Sequence, residues 1–513
     1  MNRFSEQAIA LLVMGLALFM ANLDDTVMNV ALPKIQISLG SDLSQLQWIL
    51  NAYTLTAASL ILTSGTLGDI YGRKRIFLTG LVVFTIASII CSLAPNLGIL
   101  IAGRTFQGIG AAVLVTISLS ILTEKFPEPK QRAKALGIWA GISGIALVAG
   151  PVLGGLLVDN LGWQSVFFLN VPLGAVVFWL TSRVIRESKN PGKQRLDVPG
   201  LVLSIVLLAS LTYALTEGNA GLWRSPLIVF LLAMAGLSLL GFLLVESRSS
   251  HPMLPLHLFN NPTFAVVNIV SVLVFFTLVS LLFIFSLFLQ QVQGYSAAAT
   301  GVRFLPMNAA FVIASLCSGW FAARLGWRFG IATGLLLAGM AALSFIQVNA
   351  DTEYGAIWWK LILCGFGAGL TLAPLTAAAM STVAPTQTGI ASGILNTSNR
   401  LGSVLGVALQ GTILTQRLAS DLRRSLSAWD LPSNLKQQLI VDALHGAAKV
   451  PSDLPGSISE VDLEQAINNA FVSGLHAAIL VASFALLTGA FLILVFVQPT
   501  FKEATSNSRL SVK

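Results

Sequence analysis

Long apolar runs alternate with short polar segments along most of the chain. A helix that crosses the hydrocarbon core of a bilayer needs about 20 mainly apolar residues. About fourteen runs satisfy this condition, at positions 8–32, 45–66, 75–95, 97–122, 134–158, 164–185, 198–217, 225–246, 262–290, 300–323, 328–348, 355–380, 386–416 and 470–498. The pattern predicts an all-α membrane protein with about fourteen transmembrane helices.

The composition supports this interpretation. Of the 513 residues, 55% are hydrophobic and only 10% are charged, whereas soluble domains carry about 25% charged residues. The net charge of +8 would suit nucleic acid, but the basic residues form no continuous stripe, so we predict no nucleic-acid partner. The three cysteines lie inside apolar runs and indicate neither a disulfide nor a metal site.

Lysine and arginine concentrate in alternate loops. One set of loops is basic at positions 73–75, 125–134, 183–195 and 324–328. The opposite short loops hold little beyond Lys34 and Arg224. Basic loops remain in the cytoplasm, so the pattern predicts a multi-pass protein with both termini cytoplasmic.

An internal repeat divides the chain. At a constant offset, positions after the second run match positions after the tenth, namely Gly65, Gly68, Gly72 and Lys74 with Gly319, Ala322, Gly326 and Arg328. The repeat predicts an N-terminal six-helix bundle (1–186), two inserted helices with cytoplasmic linkers (187–260) and a C-terminal six-helix bundle (261–513). Transporters built from such repeats bind their substrate between the halves.

The segment 417–469 is a long polar connection, and the predicted orientation places it outside the cytoplasm. Apolar residues recur there at helical spacing, namely Leu435, Leu439, Ile440, Ala443 and Leu444. This spacing predicts a short amphipathic helix on the membrane surface or on the protein. Docking of a partner, such as a periplasmic membrane-fusion adaptor, is the alternative.

The segment 65–75 resembles the cytoplasmic signature loop of the major facilitator superfamily, G-x-L-x-D-x-x-G-R-[RK]. Its matching residues are Gly65, Gly68, Asp69, Gly72, Arg73 and Lys74. Pairing of Asp69 with Arg73 would form a conformational latch, and a plain basic topology marker is the simpler interpretation. The second copy has Ala323 in place of the acid.

The segment 23–33 resembles the L-D-x-T-[IV]-x-N-V-A-L-P signature of the fourteen-helix drug:proton antiporters of the EmrB/QacA type. An acid within a membrane helix is functional by default. The resemblance implies that Asp24 couples protons, whereas helical geometry puts Asp25 on the same face as Asn22 and Asn29, so both remain candidates. A structural acid that pairs with Arg104 is the alternative.

Arg104 and Gln107 belong to a segment similar to the superfamily's R-x-x-x-G-x-G element. Counted from the predicted helix ends, Asp24 and Arg104 lie at a similar depth, roughly 10–12 Å below the outer surface. A carboxyl group that meets an arginine in one state and an apolar environment in another would take up and release a proton.

The segment 141–155 resembles the antiporter motif with the core G-P-x-x-G-G. The matching residues are Gly141, Gly144, Gly150, Pro151, Gly154 and Gly155. Glycines four apart let helices approach closely, so ordinary packing is the alternative. The next segment, Gly162 to Pro172 with Asn170, resembles the same family.

The C-terminal half has no carboxylate in its predicted membrane helices, although some relatives have one there. An apolar cavity with few polar groups suits bulky amphiphiles. Its candidate lining residues are Asn29, Gln107, Phe275, Phe276, Asn308, Asn396, Asn399 and Arg400. The aromatic residues could equally face lipid, and backbone carbonyls could satisfy Arg400.

The resemblance covers nearly the whole chain. It implies a major facilitator fold in a bacterial cytoplasmic membrane, and a proton-coupled antiporter that exports drug-like or amphiphilic compounds by alternating access. An exporter of one endogenous antibiotic or siderophore is the nearest alternative, and a non-transporting sensor or scaffold is a more distant one. We find no P-loop, nucleophile motif or metal-ligand cluster in the sequence, and predict neither enzymatic activity nor a cofactor.

Overall fold

The computed structural model describes residues 3–189, 196–218, 225–249, 252–384, 387–446 and 459–497. Within these ranges the chain is helical and contains no strand. The helices are α1 (Arg3–Leu39), α2 (Leu43–Tyr71), α3 (Arg73–Ser92), α4 (Leu97–Lys125), α5 (Pro129–Leu161), α6 (Gln164–Phe168), α7 (Asn170–Val184), α8 (Val198–Glu217), α9 (Pro226–Arg248), α10 (Pro262–Leu287), α11 (Ala297–Leu325), α12 (Trp327–Ser344), α13 (Trp358–Ser381), α14 (Thr388–Ser427), α15 (Ser433–Leu444) and α16 (Glu460–Phe496).

Twelve segments of the described residues are long and apolar enough to cross a membrane. α6 and α7 together form one of them. α2 and α14, of 29 and 40 residues, exceed the length that a bilayer requires but are more polar. The predicted all-α membrane fold is confirmed, and the predicted count of about fourteen includes α2 and α14.

The helices pack in two groups. Among the N-terminal helices (α1–α7), α1 packs against α5, and α4 packs against α2 and α3. Among the C-terminal helices (α10–α16), α13 packs against α11 and α12, while α14 and α16 pack against α10. The pairs α5–α11 and α2–α14 join the groups. The inserted pair α8–α9 packs beside α2 and α14 through α8.

Two helices extend further than predicted. α14 continues to Ser427 and α16 begins at Glu460, whereas the predicted spans end at 416 and begin at 470. Apolar side chains on these extensions are buried, including Leu422, Leu426 and Leu463. Because these contacts stabilise helix beyond the apolar span, hydropathy alone places the boundaries too early.

α15 occupies the segment in which an amphipathic helix is predicted. Its residues Leu439, Ile440 and Ala443 are buried, and α15 packs against α14. The apolar face therefore packs on the protein. Residues 447–458 of the predicted loop, like 190–195 and Arg224 of the predicted basic pattern, lie outside the described residues.

The predicted span 164–185 is broken at Leu169, between α6 and α7. Pro172 has no N–H to donate to the carbonyl of Phe168, four residues earlier. The interruption leaves Asn170 at the first position of α7, where its side chain is buried and faces α1.

Candidate functional site

Asp24 is buried in the middle of the N-terminal helices, with 2% of its surface exposed. One carboxylate oxygen accepts a hydrogen bond from Arg104 Nη1 of α4. The other accepts from Gln107 Nε2 at 3.1 Å and from Asn170 Nδ2 at 2.8 Å. Three donors from two helices therefore satisfy the side chain of Asp24.

Arg104 is fully buried. Its Nε donates to the carbonyl of Ile49 at 3.1 Å, and its Nη1 also donates to Gln107 Oε1 at 2.9 Å. The guanidinium lies 4.3 Å from the ring centre of Tyr53, in cation–π geometry. Nη2 has no hydrogen-bond partner among the described residues. The sequence placed Asp24, Arg104 and Gln107 among the candidates, and the structure adds Tyr53 and Asn170.

Asp25 faces a different arginine. Its Oδ2 accepts from Arg400 Nη1 of α14 at 2.6 Å. The side chains are 31% and 16% exposed, respectively, so this pair is more accessible than Asp24–Arg104. Successive residues of a helix point about 100° apart, which directs the two aspartates into different surroundings. Arg400 is paired with a carboxylate, rather than satisfied by backbone carbonyls.

α1 continues through Pro33 to Leu39 and does not end at 32 as predicted. Pro33 cannot donate to the carbonyl of Asn29, and the buried Ser286 of α10 donates to it instead, at 2.6 Å. Asn29 itself is buried, and its Oδ1 has no hydrogen-bond partner in the described ranges. A C-terminal helix thus supplies the hydrogen bond that α1 lacks.

The same arrangement occurs in α5. Pro151 leaves the carbonyl of Leu147 without its helical donor, and Asn308 Nδ2 of α11 donates to this carbonyl at 3.0 Å. Asn308 is 2% exposed. Asn308 therefore joins the two groups of helices in this structure, and its role in a substrate cavity stays a prediction.

The glycines of the predicted antiporter motif differ in their surroundings. A Cβ on Gly150 or Gly154 would collide with α1, and one on Gly155 would collide with the α11 backbone. A Cβ on Gly144 would only touch a valine, at 3.5 Å, and one on Gly141 would have no neighbour within 4 Å. The close contact of α5 with α1 and α11 therefore requires glycine at positions 150, 154 and 155, and does not require it at positions 141 and 144.

Four other candidate cavity residues lie on α10 and α14. Phe276 is buried and Phe275 half-buried, both on α10. Asn396 is exposed and donates to a carbonyl of its own helix at 3.0 Å. The Oδ1 of Asn399 is buried, with no hydrogen-bond partner in the part of the chain that the structure describes. Asn396 is thus the most accessible of the four.

The signature loop between α2 and α3 holds charges in the predicted pairing. Asp69 Oδ1 accepts from Arg73 Nη2 at 2.9 Å and from its Nε at 3.1 Å. Arg73 Nη1 also donates to Glu124 of α4 at 2.8 Å. Gly65 and Gly68 face α4. Arg73 therefore connects the ends of α2 and α4.

Glu187, which follows α7, is a partner of this loop that the sequence did not indicate. Its two oxygens accept from the backbone N–H groups of Lys74 at 3.0 Å and Arg75 at 3.1 Å. Gly72, with φ of 111°, precedes α3 and offers no side chain to cap it. Glu187 thus caps α3 from another part of the chain.

The second copy of the loop is built differently. Arg328, which matches Lys74 in the repeat, donates to the backbone carbonyl of Leu494 in α16. The side chain of Ala323 lies outside the described part of the chain. Arg328 therefore bonds to a backbone carbonyl.

The chain matches the Major Facilitator Superfamily over residues 14–407. It is 37% identical over 490 residues to multidrug resistance protein Stp of Mycobacterium tuberculosis, covering 94% of this chain and 90% of Stp. It is also 37% identical over 411 residues to the methylenomycin A resistance protein of Streptomyces coelicolor, covering 80% and 84% of the two chains. A bacterial homologue of the human lysosomal transporter Spinster, in an inward-facing and occupied conformation, superposes with a TM-score of 0.67 at 17% identity, over 94% of this chain and 95% of that one. The chain belongs to the major facilitator superfamily and is a multi-pass membrane transporter, not an enzyme.

Proposed function

We propose that the protein is a proton-coupled antiporter that exports drug-like or amphiphilic small molecules by alternating access. The support for export comes from relatives named for multidrug and methylenomycin A resistance. The signature around Asp24 supports the finer assignment to fourteen-helix antiporters of the EmrB/QacA type, with α2 and α14 as the remaining crossings. No cofactor enters this proposal, since the proton gradient drives transport.

The buried carboxylate of Asp24 carries the proposal. As an anion it accepts hydrogen bonds from Arg104, Gln107 and Asn170. A proton on this carboxyl would cancel its charge and occupy one of its oxygens, which weakens all three contacts. Loss of these contacts would free α1 to move relative to α4 and α7. Protonation is in this way linked to the packing of the helix that also carries Asp25.

Alternating access requires contacts between the halves that form in one state and break in the other. Three contacts join the halves in this structure, namely Asp25–Arg400, Ser286 with the carbonyl of Asn29, and Asn308 with the carbonyl of Leu147. The last two use carbonyls that water can solvate equally well when the halves separate. We propose that these contacts close the molecule at the end where α1 finishes and α11 begins.

The proposed topology follows the loop charges. The N-terminal bundle is 1–186, the inserted pair 187–260 and the C-terminal bundle 261–513, with both termini cytoplasmic in a bacterial inner membrane. The end that carries α15 then faces the periplasm. A membrane-fusion adaptor is proposed to dock there.

A second candidate function is export of a single antibiotic. The methylenomycin A resistance protein, which is named for one compound, favours this alternative. The two functions differ in the range of compounds exported and not in the transport mechanism. One responding compound would indicate a dedicated exporter, and several unrelated ones would indicate a multidrug exporter.

Proteoliposomes with an imposed pH difference test the proposal. We expect purified protein to accumulate amphiphilic compounds only when the gradient is present, and to release protons when such compounds are added. Asp24→Asn should abolish both effects while exchange of substrate without a gradient persists. Transport by the unaltered protein that is indifferent to the gradient would show that protons are not the coupling ion.

A further inference from the structure

The inserted helices bring two carboxylates together at one end. Asp197 precedes α8, and its Oδ1 accepts from the N–H of Gly200 at 2.9 Å, which caps the helix. Glu246 lies in the last turn of α9, and its Oε2 accepts from the N–H of Leu254 at 3.1 Å. Each acid therefore uses one carboxylate oxygen for a structural hydrogen bond, which leaves its second oxygen available.

The two remaining oxygens are buried. Within the part of the chain that the structure describes, Asp197 Oδ2 and Glu246 Oε1 make no hydrogen bond, and Glu246 is only 3% exposed. A Cβ built on Gly200 would lie 2.9 Å from the first and 3.0 Å from the second. Both oxygens thus border one small space, which exists because residue 200 has no side chain.

Two ionised carboxylates are unstable in such a place. Burial without a partner destabilises each charge, and the like charges repel each other. Among the described residues, Asp197 is the charged side chain whose field reaches Glu246. The neighbouring segment contributes the backbone N–H groups of Leu254 and Met253, and α2 contributes the hydroxyl of Thr63 beside Met253. A proton shared by the two oxygens would neutralise one charge and give the other oxygen a hydrogen-bond donor. It would thereby remove both the repulsion and the unpaired acceptor.

We propose that Asp197 and Glu246, the acid pair, form a proton-binding site that holds one hydrogen between Asp197 Oδ2 and Glu246 Oε1. The ligand is H⁺, and the site is separate from Asp24. It lies where α8 begins, where α9 ends and where the chain leads on towards α10. Loss of the proton would drive these segments apart by charge repulsion, so the site makes the packing of the inserted pair depend on pH.

The sign of the pH effect follows from linkage. Because an unfolded glutamate has already released its proton above about pH 4, a proton held by the folded site stabilises the fold only below the pH at which the pair releases it. This stabilisation therefore declines as the pH rises. In Glu246→Gln the amide donates a hydrogen to Asp197 at every pH. We expect the melting temperature of purified, full-length wild type to fall from acidic to neutral pH more steeply than that of Glu246→Gln. Glu464→Gln, at an exposed carboxylate of α16, should retain the wild-type slope.

Infrared spectroscopy gives a direct readout that does not depend on transport. We expect the carbonyl stretch of a protonated carboxyl group in wild type that disappears as the pH rises and is missing from Glu246→Gln. Asp197→Asn serves as a second variant if Glu246→Gln does not fold, and should also flatten the melting profile. Equal slopes in wild type and variants, without this band, would overturn the proposal. So would stabilisation of wild type alone by Na⁺, Mg²⁺ or Ca²⁺, because the occupant would then be a metal cation.

Discussion

Asp25 and Arg400, 375 positions apart, form an ion pair of 2.6 Å between α1 and α14. It joins the N-terminal helices to the C-terminal helices. Asp24, the adjacent residue, pairs instead with Arg104 inside the N-terminal group. Two neighbouring acids thus contact two different arginines, and only one of these contacts must break when the halves separate.

Removing one member of the pair between the halves should destabilise the observed state. We expect Asp25→Asn and Arg400→Gln each to lower the free energy of unfolding. The effect should lie between about 1 kcal/mol for an exposed pair and about 3–5 kcal/mol for a buried one, because the side chains are partly exposed. The double variant should lose less than the two single losses combined. Thermal unfolding in detergent measures this, and simple additivity would contradict a direct interaction.

The hydrogen bond from Asn170 should influence how readily the carboxylate of Asp24 takes up a proton. Asn170→Ala removes a buried donor to a charged acceptor, a contact typically worth about 1.5–3 kcal/mol. We expect slower gradient-driven transport and a shifted pH dependence. Tyr53→Phe is the control, because it keeps the ring beside Arg104 and removes only a hydroxyl that donates to Ala21. Identical pH profiles for wild type and Asn170→Ala would exclude a role for Asn170 in coupling.

The sequence predicts the membrane helices well where apolar runs are continuous. α8 was predicted at 198–217 and spans Val198–Glu217, and α9 differs by one or two residues at each end. α1 was predicted to end at 32 and ends at Leu39, because hydrogen bonds from another helix support the chain around Pro33. The helix end from which the depth was counted therefore lies further along the chain, and the depth itself stays a prediction, while Asp24 and Arg104 do meet.

The partners of the charged residues were harder to predict. Asn170 stood in a segment already recognised as family-like, but nothing local indicated that Pro172 would turn its side chain towards Asp24. Arg400 was a candidate without a partner, since pairing between distant helices depends on how the halves pack. Nothing in the sequence indicated Glu187, because a capping residue that comes from another segment lies at no characteristic spacing from the helix that it caps.

Two glycines of one motif provide a matched pair of substitutions. Gly155→Ala would place a methyl group against the α11 backbone, whereas Gly141→Ala would meet no atom within 4 Å. We expect Gly155→Ala to impair transport severely and Gly141→Ala to retain it. Vesicle transport at matched expression measures the difference. Equal impairment would mean that the motif acts through something other than contact between α5 and α11.

The capping role of Glu187 can be tested against another glutamate. Glu187→Ala removes a carboxylate from the N-terminus of α3 and should lower stability by about 0.5–2 kcal/mol. Glu128→Ala is the control, since Glu128 precedes α5 and its side chain makes no capping hydrogen bond. Thermal unfolding compares the two. A loss that is no larger for Glu187→Ala would argue that solvent fully compensates for the cap.

The carbonyls freed by the two prolines give the most specific test of how the halves close. Ser286→Ala and Asn308→Leu would each leave one buried carbonyl without a donor, at Asn29 and Leu147, which costs about 1–3 kcal/mol. Because water can solvate these carbonyls once the halves part, the variants should favour the separated state rather than unfold the protein. We expect cysteines placed across this interface to become more accessible to a water-soluble thiol reagent.

Restoring the missing helical donor should have a related effect. In Pro151→Ala the new N–H can pair with the Leu147 carbonyl, so that the hydrogen bond from Asn308 matters less. Asn308→Leu should then change accessibility less in the Pro151→Ala background than in wild type. If Asn308→Leu has the same effect in both backgrounds, the amide acts by filling space and not by satisfying the carbonyl that the proline leaves free.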